Sequence, residues 1–197
     1  MSSEKIWTSK CWYVSCRISC TNRNKDKIIK FMLPQIIAYI DASNLRFWVA
    51  QSGWELDYKS FRSWLRDKFW VTKAILFMWL VPEYADLYNY LQSIGYDIIF
   101  RPTLTSKEWK TKWNVDGEVI LEMCSNFYEG KLEKALLVSG DGDYHCIVHF
   151  LKNHATNISI ISPNQKYLSY LLRKSGVPLI ILDDFKNKLK KKPPDTP

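Results

Sequence analysis

The stretch SGDGDY at residues 139–144 sets Asp141 and Asp143 one residue apart, directly after the apolar run ALLV. A second apolar run, QIIAYI, ends in Asp41, and the segment NVDGE places Asp116 at the start of a third pattern. Each of these acids has an ordinary structural reading. Asp41 and Asp141 suit turns after strands, and Asp116 and Asp143 suit the positive ends of helices. Together they bring four carboxylates from three separate segments. Carboxylates brought together repel unless a cation compensates them, and an all-oxygen donor set suits Mg2+ or Mn2+. No histidine or cysteine stands at these strand ends, which argues against zinc.

Positioning such a set requires an alternating framework, and the hydrophobic pattern supplies one. Short apolar runs at 35–42, 73–81, 97–102, 134–140, 157–163 and 178–184 predict six buried strands. Between them, residues 56–69 carry apolar side chains at 58, 61, 64, 65 and 69, a helical spacing with Asp57 as its N-cap. Residues 82–95 open with Pro82 and close with Gly95, the usual helix asymmetry. Helices are also predicted over 114–130, with Asn114 as cap, over 143–155 and over 164–176, whereas 103–113 reads as a polar, basic loop. Strands alternating with helices specify an α/β domain with a mostly parallel sheet and helices on both faces. Ligands of such sheets sit beyond the carboxyl ends of the strands, where the strand order reverses. All four aspartates are expected at that edge.

The 197 residues divide into a central domain at 34–185, an extension at 1–33 without clear period, and a lysine-rich tail at 186–197. Met32 immediately precedes the first strand and is a candidate true start. The formal charge of +8 belongs to the ends: residues 1–30 carry +5, residues 186–197 carry +4, and residues 31–185 carry −1. The basic ends suit either salt-sensitive attraction to a polyanion or simple solvation. At 47% hydrophobic the chain can build a core, so wholesale disorder is excluded. The longest apolar run, at 75–82, is too short to span a bilayer, and the N-terminus lacks the apolar stretch of a secretory signal. A cytoplasmic location is therefore expected. Five cysteines without a Cys-x-x-Cys pair indicate neither a zinc knuckle nor a disulfide framework. Cys124 and Cys146 are expected in the core.

The order and spacing of IDASN, NVDGEVILEM and KALLVSGDGDY resemble the NYN domain of the PIN-like nuclease superfamily. Asp41 and Asn44 match the family's first motif, Lys112 and Asp116 its second, and Ser139, Asp141 and Asp143 its third. Glu122 falls where the family commonly has a further acid, with Glu in place of Asp. The resemblance covers about residues 34–185. It implies a three-layer domain with core strand order 3-2-1-4-5, strands 1 and 4 adjacent, and metal-dependent cleavage of RNA. Three rivals fit less well. A haloacid-dehalogenase-like phosphatase needs an acid where Ser43 stands, a Toprim site normally has Glu at its first strand, and a Rossmann site needs a glycine-rich turn where ASNLRF lies.

The expected chemistry is metal-activated attack of water on phosphorus, with Asp41, Asp116, Asp141 and Asp143 as ligands of Mg2+ or Mn2+. Asn44 would orient a ligand or contact the scissile phosphate, and Ser139 would hydrogen-bond a carboxylate. Glu122 lies six residues past Asp116, about 600° of helix rotation, so it suits a structural role as well as a supporting one. Arg46, Trp48, Arg101, Lys107, Lys110, Lys112 and Trp113 interleave cations and aromatics suited to phosphates and unpaired bases. Trp48 and Trp113 fit packing equally well, because nine tryptophans cannot all be binding platforms. RNA is the expected partner, with room for a protein partner or a second copy and no membrane. The alternatives are a non-catalytic RNA-binding scaffold and a DNA-directed nuclease.

Overall fold

The computed structural model describes residues 35–101 and 115–192. The extension at 1–33, the loop residues Lys107, Lys110, Lys112 and Trp113, the cap Asn114 and residues 193–197 lie outside the described residues.

Short apolar runs build six strands: β1 (Gln35–Asp41), β2 (Lys73–Trp79), β3 (Asp97–Arg101), β4 (Leu132–Val138), β5 (Asn157–Ser162) and β6 (Leu179–Ile181). They form one parallel sheet in the order β3-β2-β1-β4-β5-β6. The expected core order and the adjacency of strands 1 and 4 are thus present, with β6 added at the edge. Ile40 pairs with Val138, so Asp41 and Ser139 leave the sheet side by side. The reversal of strand order falls at this pair.

Successive strand residues point to opposite faces, and each face has its own core. On one face Ala38, Ile40, Leu76, Leu136 and Val138 meet three helices, α1 (Ala42–Gln51), α2 (Tyr58–Phe69) and α3 (Ala85–Ser93). Leu45 and Val49 of α1, Phe61 and Leu65 of α2, and Leu91 of α3 are their inward residues. Full burial of side chains of this size contributes roughly 1.5–3 kcal/mol each. On the other face Ile37, Tyr39, Ile75, Phe77 and Leu137 meet α4 (Asp116–Tyr128), α5 (His145–Asn153) and α6 (Tyr170–Lys174). This is the expected three-layer arrangement. Asp41, at an odd position like Ile37 and Tyr39, belongs to the α4–α5 side.

Four local features differ from the sequence expectation. Residues 42–51, left unassigned by periodicity, form α1, because the Asp41 side chain accepts from Asn44 N and caps it. The helix expected over 164–176 shrinks to α6. Asn164 Oδ1 takes Tyr167 N at 2.9 Å, holding a loop, and Ser169 then serves as the N-cap. Cys146 is exposed rather than buried, and Cys124 is half-buried. Residues 186–192 are not simply a solvated tract: Lys186–Leu189 form a short helix, α7, whose Leu189 is 1% exposed. Asp57 N and Lys191 N bond the carbonyls of Leu189 and Glu55, tying this segment to the start of α2. Among the described residues, no helix is long and apolar enough to cross a membrane.

The docking of α7 has a measurable consequence. Leu189→Ala is expected to cost about 2–4 kcal/mol of unfolding free energy, read by urea denaturation. A loss under about 0.5 kcal/mol would mean that the segment is solvated after all.

Candidate metal centre

Three chain segments converge at the carboxyl edge of β1 and β4. β1 delivers Asp41 directly, as its last residue. The segment after β4 delivers Asp141 and Asp143, with Asp141 capping a 3-10 turn at Gly142–Tyr144. Asp116 is the first residue of α4 and is 8% exposed. One carboxylate oxygen from each of Asp116, Asp141 and Asp143 lies within 4.8 Å of the others. Asp141 and Asp143 reach solvent, so the cluster has a buried floor and an open rim. The donor set consists of hard anionic oxygens and fits a hard divalent cation.

Asp41 stands beneath this trio. It is 5% exposed, and its two oxygens accept from Asn44 N at 2.9 Å and from the Tyr144 hydroxyl at 3.0 Å. Burial raises its pKa from 3.8 to about 6, against the lowering effect of those two hydrogen bonds, and the charges of Asp116 and Asp141 add to the rise. Four acids therefore share the edge, as the sequence suggests, but as three close together and one recessed.

The polar groups around them are held by specific bonds. Asn44 Oδ1 accepts from Gly140 N at 3.1 Å, which ties the first turn of α1 to the end of β4. Ser139, fully buried, accepts from Asp141 N at 3.2 Å. Its expected bond to a carboxylate is replaced by one to the backbone of the acid-bearing turn. Asp141 Oδ1 in turn accepts from Asp143 N at 3.1 Å. The glycines of SGDGD answer to crowding rather than to unusual torsions. A Cβ on Gly142 would lie 2.5 Å from Ser169 Oγ, and one on Gly140 would lie 3.2 Å from the Tyr167 carbonyl oxygen.

The remaining sequence candidates divide. Glu122 is not part of the trio; it accepts from Asn126 Nδ2 at 2.9 Å and adds negative charge near Tyr39 instead. Six residues along a helix turn it away from Asp116, as its spacing implies. Arg101 pairs with Glu118, two residues past Asp116, at 3.4 Å and lies over the Trp79 ring at 5.1 Å. Arg46 is exposed on the rim of a cavity of about 590 Å3 between α1 and the 3-10 turn preceding α3. That cavity reaches the carboxyl edge at Ala42 and Ser43. Trp48 stacks on Tyr167, with ring centroids 3.7 Å apart, so one of its faces serves packing. His149 and His154 hydrogen-bond within α5 and its end, to Asn153 and the Phe150 carbonyl. Tyr144 is the residue that sequence reasoning missed. Beside the aspartates it reads as one more core aromatic, and only the fold turns its hydroxyl toward Asp41.

The NYN domain profile matches residues 35–179. The chain belongs to the NYN domain family. That family is part of the PIN-like nuclease superfamily and is generally of nuclease type. NYN nucleases are typically dependent on divalent metal, and the family binds RNA in general. In fold, the chain is similar to a solved protein of unknown function from Vibrio parahaemolyticus, with a TM-score of 0.66 and 16% identity. That likeness covers 80% of this chain and 97% of the other. No curated protein matches the sequence.

The recessed aspartate gives a prediction with a definite sign. Its folded-state pKa lies above its unfolded value, so its favourable contribution is present below pH 4 and is lost as pH rises through about 6. The difference between 3.8 and about 6 corresponds to about 3 kcal/mol against folding at neutral pH without metal. Asp41→Asn is therefore expected to raise the melting temperature at pH 7 in EDTA and to lose that advantage near pH 4. An equal change at both pH values, measured by calorimetry, would remove the buried charge as its cause.

Proposed function

We propose that the chain is a metal-dependent ribonuclease that hydrolyses phosphodiester bonds at the edge formed by β1, β4 and α4. The observation that carries this reading is the gathering of Asp116, Asp141 and Asp143, with oxygens within 4.8 Å of one another, above the buried Asp41. A protein that only bound nucleic acid would gain nothing from concentrated negative charge facing phosphates. Asp116, Asp141 and Asp143 are the residues that would hold Mg2+ or Mn2+. Bound there, the ion would supply Lewis acidity toward water and phosphate oxygens.

The chain's own groups then act as follows. Asp41 sits behind the trio and adds a fourth negative charge to attract the cation. Asn44 ties the start of α1 to the end of β4, and Ser139 holds the backbone of the turn that carries Asp141, so the acids do not drift apart under their mutual repulsion. Arg46, exposed beside the edge, is available to a phosphate of the incoming strand. Lys107, Lys110, Lys112 and Trp113 follow β3 and precede α4, and they complete the proposed track for phosphates and unpaired bases. Trp48 contributes through its remaining exposed part. The proposed substrate is RNA, and the expected setting is the cytoplasm.

The test is cleavage of a labelled single-stranded RNA in Mn2+, in Mg2+ and in EDTA, for wild type and Asp141→Asn. Wild type is expected to cut only with metal, and the variant to lose at least a hundredfold in rate, the scale of about 2.7 kcal/mol of transition-state stabilisation. Equal cutting by both proteins would place the activity outside this site. RNA binding without cleavage by either would favour a scaffold.

A further inference from the structure

The four acids come from three segments, and one side chain of the SGDGD segment hydrogen-bonds the acid at the end of β1. Tyr144 closes the 3-10 turn that begins after Asp141, so it is covalently part of the SGDGD segment. Its hydroxyl donates to Asp41 Oδ2, at the end of β1, at 3.0 Å. Burial and the negative charges of Asp41 and of Asp116, the first residue of α4, all push the pKa of this hydroxyl up. Its ring is fully buried among Val115, Val119, Ile147 and their neighbours, so the oxygen is placed by core packing and cannot swing away. A phenol carries one proton, and here it is given to Asp41.

We infer that Tyr144 is a positioning residue for the metal centre: its hydroxyl fixes the carboxylate of Asp41 at the edge that carries Asp116, Asp141 and Asp143, so that its charge acts with theirs on one cation. This rests on the reading of the acid cluster as a cation site. Packing alone does not account for the hydroxyl. A phenyl ring would fill the same space, and burying a hydroxyl is unfavourable unless it is hydrogen-bonded. Its partner is Asp41, a buried carboxylate whose charge needs a donor. Groups that hold metal ligands from behind commonly govern metal affinity as strongly as the ligands do.

Tyr39 provides an internal control. It is also fully buried on the same face of the sheet, but its hydroxyl has no hydrogen-bond partner among the described residues, and the charge that acts on it is that of Glu122. The experiment is a Mn2+ titration of the full chain, following the free-ion signal by electron paramagnetic resonance, for wild type, Tyr144→Phe and Tyr39→Phe. Near-ultraviolet circular dichroism and urea denaturation in EDTA report whether each variant is folded. Tyr144→Phe is expected to weaken Mn2+ binding by about tenfold or more, and Tyr39→Phe to leave it unchanged. Equal affinity for all three proteins would overturn the inference while leaving the cation site standing. No Mn2+ binding by wild type would overturn both. Should Tyr144→Phe fail to fold, infrared difference spectra of wild type with and without Mn2+ decide. A shift of a tyrosine C–O band that persists in Tyr39→Phe supports the inference, and its absence overturns it.

Discussion

Negative charge concentrated at one sheet edge is the constraint on which this structure turns. Asp41, Asp116, Asp141 and Asp143 come within reach of one another, two of them largely out of water. Like charges in a poorly solvated place are unfavourable, and burial raises the pKa of Asp41 in response. The donors to Asp41 are neutral, the backbone of Asn44 and the hydroxyl of Tyr144. Neutral donors stabilise a carboxylate without cancelling its charge, so the edge keeps a negative charge that an internal ion pair would remove. The cost to stability resides at the functional site, as strain and buried charge often do.

The scaffold can be understood as what makes that arrangement tolerable. Parallel strands β1 and β4 place two backbone ends side by side, and apolar cores on both faces hold the sheet between helix layers. Close contacts then fix the turns. Asn44 ties α1 to Gly140, and Ser169, against which a side chain at Gly142 would collide, packs on the turn carrying Asp141 and Asp143. The helices thus do more than cover the sheet, since their first turns and the loop before α6 supply the groups that fix the acids.

Much of this was legible in the sequence for physical reasons. Short uninterrupted apolar runs such as KAILFMWLV suit strands covered on both faces, and their alternation with helices implies the parallel sheet. The placement of Asp41, Asp116, Asp141 and Asp143 followed from strand ends and one helix start. What escaped were features set by tertiary contact. ASNLRFWVAQ has too mixed a pattern to announce α1, which depends on a cap that also serves the site. Residues 164–169 carry a helical pattern, yet Asn164 and Ser169 satisfy the backbone locally and win. Tyr144 has no signal in its neighbourhood, because its partner Asp41 lies 103 positions away and only the fold brings them together. Ser139 was read as a partner of a carboxylate and instead holds the backbone beside one.

The most direct test of the central claim is to locate the cation. Crystals soaked in Mn2+ and measured at its absorption edge should show an anomalous difference peak within about 2.0–2.4 Å of carboxylate oxygens from Asp116, Asp141 and Asp143. A peak elsewhere on the chain, or none at saturating Mn2+, would contradict the account of this edge as a metal centre.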